Sequence, residues 1–398
     1  MPDPLPPLRT LALFCKVVDN FGDIGICWRL ARQLSHEHGI AVTLWVDDLA
    51  SFQRLCPSVS TAAQHQDIGG VIVRHWSDQE SIVTVDQIAD IVIEFFGCDL
   101  PPAYIQAMAL RDPAPIWINL EGLSAEAWVE GCHTLPSPHP QLRLTKYFYF
   151  PGFTAQTGGL LRESDLIARR VDFESTPTAR DDFLLRLGLT DAERAAYKVS
   201  MFCYPDAPLA ALFEAWQRLP MPLTCLVPEG VASLAIEQFL GAAACPGAAR
   251  ARGALTVRVI PFIAQPEYDK LLWACDVNFV RGEDSFVRAQ WAGKPFIWHI
   301  YPQDKNLHHV KLRAFLQRYA PECKSLVDFS LRWNSADDNV SVAADSWQTG
   351  WQDLHDDTTA ITEVARNWQH AMTAHGDLAA NLVRFAQSQH SSRWQNKV

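Results

Sequence analysis

The sequence has no CxxC pair among its ten cysteines, which are scattered between positions 15 and 323. A zinc site or a redox centre built on closely spaced cysteines is therefore not predicted. Most of the cysteines lie within apolar stretches, where free thiols commonly pack as small hydrophobic side chains. We expect neither a metal ion nor a cofactor.

Long apolar runs and an excess of basic residues are also missing. No stretch of about 20 apolar residues is present, so no membrane span is predicted. The opening residues MPDPLPPLRT lack the features of a secretion signal, which makes the cytoplasm the expected compartment. The net charge of −11 opposes non-specific binding to nucleic acid. It favours instead a partner that presents a basic surface.

At 398 residues the chain is too long for one ordinary hydrophobic core, which indicates two domains. In its first part, apolar runs of strand length alternate with helical patterns. Continuous apolar strands of this kind are typical of a parallel sheet covered by helices on both faces. The predicted strands of this part lie at 8–18, 40–48, 70–76, 88–97 and 115–122, and the first predicted helix is 26–39.

A second series of strands follows a segment, 135–195, that is rich in proline, glycine and charge. The predicted fold class is α/β, with two Rossmann-like doubly wound domains. Ligands of such sheets bind beyond the carboxyl ends of the strands, so a central cleft between the domains is expected. The predicted strands of the second part lie at 197–205, 222–230, 255–262, 275–284 and 294–302.

The turn after the first strand, DNFGDIG (19–25), combines two carboxylates with two glycines. Asp19 or Asp23 could simply cap the following helix, with the glycines forming a tight turn. Two carboxylates four residues apart could also divide the work of a general base and of a group that orients the substrate. Because the stretch is not the G-x-G-x-x-G fingerprint, no nicotinamide site is predicted.

A second polar turn lies in FVRGEDSFVRAQWAGKPFIW (279–298), between a predicted strand and a predicted helix at 286–292. With Asp284 or Ser285 near the N-cap, the first backbone amides of the helix would form an anion site. Arg281 could add a charge-assisted contact to a phosphate. Glu283 would repel a phosphate, so its expected partner is a sugar hydroxyl. The alternative is a capped helix with a surface ion pair.

Aromatic residues recur after other strands of the same predicted domain. Phe202 and Tyr204 follow one strand, Phe262 follows another and Tyr301 a third. Each could be ordinary packing, but together they could stack on a nucleobase, with Gln265 pairing to its amide edge. The set predicts a nucleotide linked through a diphosphate to a sugar.

Two acidic pairs and one glycine-rich segment have less specific interpretations. Asp47-Asp48 and Asp181-Asp182 have no third metal ligand nearby in the sequence, so they are interpreted as solvated turns. The stretch FPGFTAQTGGLLRE (150–163) is consistent with a linker or with the rim of the cleft.

Three stretches, DNFGDIG, FPGFTAQTGGLLRE and RGEDSFVRAQWAGKPFIWHIYPQ, together resemble the EarP family, bacterial rhamnosyltransferases that act on an arginine of translation elongation factor P. The resemblance covers nearly the whole chain. It implies a GT-B fold, dTDP-β-L-rhamnose as the donor, and metal-independent transfer with inversion. The acceptor-side domain is placed at 8–170 with the C-terminal helix 375–398, and the donor-side domain at 182–370.

The resemblance also implies roles for individual residues. Asp23 matches the general base, Asp19 a neighbouring essential acid, and Glu283 a third essential carboxylate. The implied donor-binding residues are Asn20, Phe21, Gly22, Phe202, Tyr204, Phe262, Gln265, Arg281, Gly282, Asp284, Ser285 and Tyr301.

The chemistry of such a transfer is demanding, because a guanidinium with a pKa above about 12 is a poor nucleophile while protonated. We expect Asp23 to take the proton as the new C–N bond forms, with Asp19 helping to hold the guanidinium. Two alternatives stay open. A sugar-nucleotide 2-epimerase of the same architecture would turn over the donor without a protein acceptor, and a non-catalytic sugar-nucleotide-binding protein would bind it without reaction.

Overall fold

The chain divides into two compact units in a computed structural model that describes residues 6–19, 21–76, 84–335 and 344–395. The first unit consists of residues 1–164 and 372–398, and the second of residues 165–371. Each unit contains one largely parallel sheet with helices, which confirms the α/β class.

The first unit is built on an eight-stranded sheet. Its strands are β1 (Thr10–Cys15), β2 (Ala41–Val46), β3 (His65–Ile68), β4 (Val71–His75), β5 (Ile91–Phe95), β6 (Ile116–Leu120), β7 (Pro136–Pro138) and β8 (Thr145–Tyr149). They follow the order β3-β4-β2-β1-β5-β6-β8-β7. The six inner strands are parallel, whereas β3 and β7 are antiparallel edge strands. The sequence analysis predicted neither of these edge strands, nor the inner strand β8, which lies in the segment 135–195. The strand order reverses at β1, the position at which doubly wound sheets open a crevice for ligands.

The second unit is built on a six-stranded sheet. Its strands are β9 (Tyr197–Met201), β10 (Leu223–Pro228), β11 (Ala249–Arg252), β12 (Leu255–Ile260), β13 (Val277–Arg281) and β14 (Phe296–His299). They follow the order β11-β12-β10-β9-β13-β14, and β11 is an antiparallel edge strand that was not predicted. The carboxyl ends of the five parallel strands lie at one edge of this sheet.

Helices accompany both sheets, and within the described ranges none is long and apolar enough to cross a membrane. The helices are α1 (Phe21–His38), α2 (Leu49–Leu55), α3 (Pro102–Leu110), α4 (Trp128–Cys132), α5 (Leu166–Ser175), α6 (Ala179–Arg186), α7 (Asp191–Ala195), α8 (Leu209–Gln217), α9 (Ser233–Leu240), α10 (Gln265–Ala274), α11 (Asp284–Ala292), α12 (Leu307–Tyr319), α13 (Lys324–Trp333), α14 (Ala344–Asp356), α15 (Thr358–Thr373) and α16 (Leu378–Gln395).

Two of these helices begin earlier than the sequence analysis predicted. Helix α1 begins at Phe21 rather than at residue 26, and just before it the N–H of Gly22 donates to the carbonyl of Asp19 at 2.7 Å. Gly22 and Asp23 are therefore helical residues and not part of a loop. Helix α11 begins at Asp284 rather than at residue 286, with Glu283 at the N-cap position.

A buried ion pair joins α10 to α11 in the second unit. The guanidinium of Arg288 donates from Nε and Nη2 to the two carboxylate oxygens of Asp269, both at 2.7 Å. Both side chains are at most 2% exposed. Two parallel charge-assisted hydrogen bonds fix orientation as well as distance. The pair therefore sets the position of one helix relative to the other.

Replacing Arg288 by Met should lower the free energy of unfolding by about 3–5 kcal/mol, because Asp269 would remain buried without its guanidinium partner. The double variant Arg288→Met with Asp269→Leu should recover most of the loss. Urea unfolding followed by circular dichroism measures both effects. As a control, Arg218→Met removes two surface pairs, with Glu214 and with Asp345, and should cost less than about 1 kcal/mol. A wild-type midpoint for Arg288→Met would contradict the assignment.

Candidate active site

The carboxylate of Asp23 holds the turn between β1 and α1. Its Oδ2 atom accepts the backbone N–H groups of Val18 at 2.7 Å and of Asp19 at 2.8 Å. Asp23 is only 4% exposed, although it lies in the first turn of the helix. The carboxylate therefore points back to the turn that precedes its own helix and fixes the backbone that carries Asp19.

Burial raises the pKa of the Asp23 carboxyl above its ordinary value. The two backbone hydrogen bonds act in the opposite direction, because they stabilise the ionised form. The negative charges of Asp19 and Asp47 add smaller upward contributions. A carboxyl with a raised pKa in a protected position has the properties that proton abstraction requires.

The carboxylate of Asp19 lies directly over Gly22. A Cβ atom placed on Gly22 would be 2.9 Å from Oδ2 of Asp19 and 3.4 Å from its Cγ. A side chain at this position would push the Asp19 carboxylate aside, whereas the backbone conformation of Gly22 is one that other residues adopt. The structure brings Asp19, Gly22 and Asp23 together as one group.

Two other predicted residues belong to the same turn. The ring of Phe21 lies 5.2 Å from the guanidinium carbon of Arg54 on α2, an arrangement typical of a cation–π contact. Asn20 was predicted to bind the donor and lies outside the described residues. The structure thus gives Phe21 a packing partner within the first unit.

The glycine-rich segment 150–163 packs into the first unit and is not a linker. Its residues Phe153 and Leu161 are buried. A Cβ atom on Gly158 would lie 2.4 Å from the ring of Tyr149, so the segment is held in close contact with β8. Glu163 at its end pairs with Arg29 of α1 at 3.3 Å. The linker interpretation was therefore wrong.

In the second unit, the turn between β13 and α11 is held by hydrogen bonds to its backbone. Gly282 has a φ of +58°, and its carbonyl accepts the indole N–H of Trp298 at 2.8 Å. The hydroxyl of Ser285 accepts the N–H of Arg281 at 3.0 Å and donates to the carbonyl of the same residue at 2.5 Å. Ser285 therefore fastens the helix to the end of β13 and does not cap it.

The side chain of Arg281 is held between two aromatic rings. Its guanidinium carbon lies 4.4 Å from the ring centroid of Phe202 and 4.9 Å from that of Tyr204. Its Nη1 donates to the carbonyl of Cys203 at 3.0 Å. Cation–π contacts and one hydrogen bond leave other donors of the planar guanidinium for a further partner, since arginine carries five. A fixed arginine at a strand end is well suited to bind a phosphate.

A histidine and a second tyrosine continue this aromatic group. The ring of Tyr204 packs at 5.3 Å from His299 and at 5.6 Å from Tyr301. Nδ1 of His299 accepts the backbone N–H of Tyr204 at 3.2 Å, which fixes the segment that carries both aromatic partners of Arg281. The sequence analysis did not identify His299 or the Cys203 carbonyl, because their importance depends on contacts between strands that are distant in the sequence.

The remaining predicted residues lie at the same edge of the second sheet. Nε2 of Gln265, in the first turn of α10, donates to Oδ2 of Asp284 at 3.3 Å. Glu283 occupies the N-cap position of α11, and its side chain makes no capping hydrogen bond. Phe262 follows β12, two strands from β9 in the sheet order. The structure thus gathers these residues around two helix N-termini, where backbone N–H groups and the helix dipoles favour an anion.

Metal ligation is not indicated for the part of the chain that the structure describes. There, no group of three or more His, Cys, Asp and Glu side chains is placed to hold a metal ion. Asp48, one of the acidic pair set aside above, is the N-cap of α2 and accepts the N–H groups of Ala50 and Ser51. Asp47 contacts the turn after β1, so the interpretation of this pair as a solvated turn was incomplete.

The two parallel-rich sheets with their helices have the GT-B fold. A solved structure of the spinosyn rhamnosyltransferase SpnG, complexed with thymidine diphosphate, shares the fold with a TM-score of 0.50 at 12% identity. The match covers 95% of this chain and 100% of that chain.

The chain belongs to the family described as elongation factor P (EF-P) rhamnosyltransferase EarP, whose model matches residues 11–387. It is 47% identical over 382 residues to the protein-arginine rhamnosyltransferase of Pseudomonas putida KT2440, covering 94% of this chain and 98% of that protein. A solved structure of EarP-mediated arginine glycosylation of translation elongation factor EF-P matches with a TM-score of 0.65 at 35% identity. That match covers 95% of this chain and 99% of that chain.

Replacing Gly22 by Ala should reduce the rate of glycosyl transfer by roughly ten- to a hundredfold, because the new Cβ would displace the carboxylate of Asp19. The stability of the fold should not fall, since alanine is a better helix former than glycine. A transfer assay and a thermal melt on the same preparation measure the two quantities.

The matched control for this variant is Gly131→Ala in α4, where an added Cβ would meet nothing within 4 Å. This control should retain wild-type transfer. If Gly22→Ala is as active as Gly131→Ala, the position of the Asp19 carboxylate does not matter for the reaction.

Proposed function

We propose that this chain transfers rhamnose from dTDP-β-L-rhamnose to the guanidinium of an arginine of elongation factor P. Support comes from membership of the EarP family across residues 11–387. The structural observation that carries the proposal is the buried Asp23 carboxyl, with its raised pKa, beside Asp19. We also propose that the reaction takes place in the cytoplasm, where translation factors act.

The acceptor chemistry is assigned to the first unit. A guanidinium is attracted to the carboxylates of Asp19 and Asp23, and Asp23 takes one N–H proton as the nitrogen attacks the sugar. Transfer of the proton during bond formation avoids a free neutral guanidine, which is hard to form when the pKa lies above about 12. The net charge of −11 suits an acceptor segment that carries a positive charge.

The donor chemistry is assigned to the second unit. Arg281 and the N-terminal amides of α11 are the groups that we propose to bind the diphosphate. Glu283 is proposed to accept hydrogen bonds from sugar hydroxyls, because a carboxylate disfavours a phosphate neighbour. Tyr301 is 45% exposed and keeps aromatic surface for the nucleobase.

The proposed reaction is a single displacement at the anomeric carbon. The guanidinium nitrogen forms a bond to this carbon while its bond to the diphosphate oxygen breaks, and the electron pair leaves with dTDP. Attack from the side opposite to the leaving group inverts the anomeric configuration. The departing charge is stabilised by Arg281 and by the α11 amides, so we propose that no metal ion takes part.

Incubating the protein with dTDP-rhamnose and unmodified elongation factor P should add one deoxyhexose to the factor, as measured by intact-mass spectrometry. Asp23→Asn should abolish this gain, because an amide cannot accept the proton. Binding of dTDP to Asp23→Asn should stay close to wild type. Near-normal turnover by Asp23→Asn would contradict its role as base.

The same assay separates the alternatives. Turnover of the donor without any gain of mass on the factor would indicate an epimerase, and binding without turnover would indicate a sugar-nucleotide sensor.

The transfer of rhamnose should be retained in the presence of EDTA, and loss of transfer would contradict metal independence.

Arg281→Ala should weaken the binding of dTDP by roughly ten- to a hundredfold, the value of one charge-assisted contact of about 1.5–3 kcal/mol. Isothermal titration calorimetry measures the affinity. The matched control is Arg252→Ala, since the guanidinium carbon of Arg252 also lies over an aromatic ring, that of Phe239 at 4.7 Å, at the end of edge strand β11. Unchanged affinity in Arg281→Ala would rule out a phosphate contact.

A further inference from the structure

Asp47, at the end of β2, reaches across to the turn that follows β1. Its Oδ1 atom accepts the backbone N–H of Val17 at 2.9 Å. Its own backbone carbonyl contacts Nε2 of His75 at 3.1 Å, which requires a proton on that nitrogen. The backbone of Asp47 is thus held by His75, the last residue of β4, and its side chain holds the segment that leads to Asp19.

Three consecutive backbone amides of this turn are held by two carboxylates. Val17 donates to Asp47, whereas Val18 and Asp19 both donate to Asp23. Consecutive N–H groups that converge on carboxylate oxygens form an anion-binding arrangement that restricts the backbone strongly. The position of Asp19 therefore depends on Asp47 as well as on Asp23.

Asp47 also acts on Asp23 through its charge. The charged groups that raise the pKa of Asp23 through space are Asp19 and Asp47, after the larger effect of burial. The thiols nearest along the packed elements, Cys15 of β1 and Cys27 of α1, are buried, and burial raises the pKa of Cys27 well above its ordinary value. Burial therefore favours the neutral thiol of Cys27, whereas Asp19 and Asp47 act on Asp23 through their negative charges.

We propose that Asp47 is a positioning residue for glycosyl transfer, which holds the backbone of residues 17–19 and maintains a negative charge beside the proton-accepting carboxylate. The proposal rests on the proposed function of Asp23 as the base. In this proposal Asp47 does not contact the substrate. It acts by holding Asp19 and by its charge on Asp23.

The test compares Asp47→Asn with Asp48→Asn. The two variants remove the same charge one residue apart, and asparagine remains a good N-cap for α2 at position 48. A base must be ionised to act, so activity is lost as the pH falls through its pKa. The charge of Asp47 raises the pKa of Asp23. Removing this charge should therefore shift the acidic limb of the pH profile of kcat/KM to lower pH. Asp48→Asn should leave that limb in place.

A second variant, Asp47→Ala, removes the hydrogen-bond acceptor as well as the charge. It should shift the acidic limb equally but lower kcat severalfold more than Asp47→Asn, with the KM for the donor unchanged. Hydrogen exchange in a peptide that spans residues 17–19 should be faster in Asp47→Ala and unchanged in Asp48→Asn. This exchange readout does not require activity.

The proposal is overturned if Asp47→Asn has the wild-type acidic limb, or if Asp48→Asn shifts it as far. It is also overturned if exchange at residues 17–19 is the same in Asp47→Ala and in wild type. Failure of the proposed function would look different, because the wild-type protein would then add no sugar to elongation factor P, whatever the exchange rates.

Discussion

The carboxylate of Asp23 accepts the backbone N–H groups of Val18 and Asp19, and the turn between β1 and α1 depends on this contact. Burial favours the protonated carboxyl, whereas the two hydrogen bonds favour the ionised form, and burial has the larger effect. The carboxyl that we propose as the base therefore also fixes the turn, through its Oδ2 atom.

In the second unit, aromatic neighbours hold the positively charged side chain of Arg281. Phe202 and Tyr204 provide ring faces for Arg281, and the carbonyl of Cys203 accepts one of its hydrogen bonds. None of these three neighbours carries a negative charge, so they do not neutralise the guanidinium. The buried pair of Asp269 and Arg288 contrasts with this arrangement, because there two full charges cancel and serve to fix α10 against α11.

Most of the inner strands and their order could be predicted from the sequence, since apolar runs separated by turns are local signals, but the inner strand β8 was missed. The predicted strand at 40–48 is β2, Ala41–Val46, and that at 255–262 is β12, Leu255–Ile260. Helix starts were less predictable, as at α1, whose first residues include two glycines that are typical of a loop. Edge strands such as β3 and β11 escaped prediction because they are short and partly polar.

The candidate site could be predicted as a set of residues, but not as a set of contacts. Asp19, Asp23 and Arg281 were singled out by residue type and by position after a strand, and their roles in the reaction stay predictions. Asp47 was set aside because no third metal ligand lies near it in the sequence, and the pair with Asp48 was interpreted as a solvated turn. Its contact with Val17 spans thirty residues and arises only when β1 and β2 pair. Contacts of this kind can be identified only when the fold is known.

The central claim is that the Asp23 carboxyl has a raised pKa in the folded protein. The most direct test is the infrared difference spectrum between wild type and Asp23→Asn, recorded as a function of pH. The account predicts a protonated-carboxyl C=O band, assigned to Asp23, that persists above the ordinary aspartate pKa of about 3.9 and disappears at higher pH. A band that titrates at or below that value would contradict it.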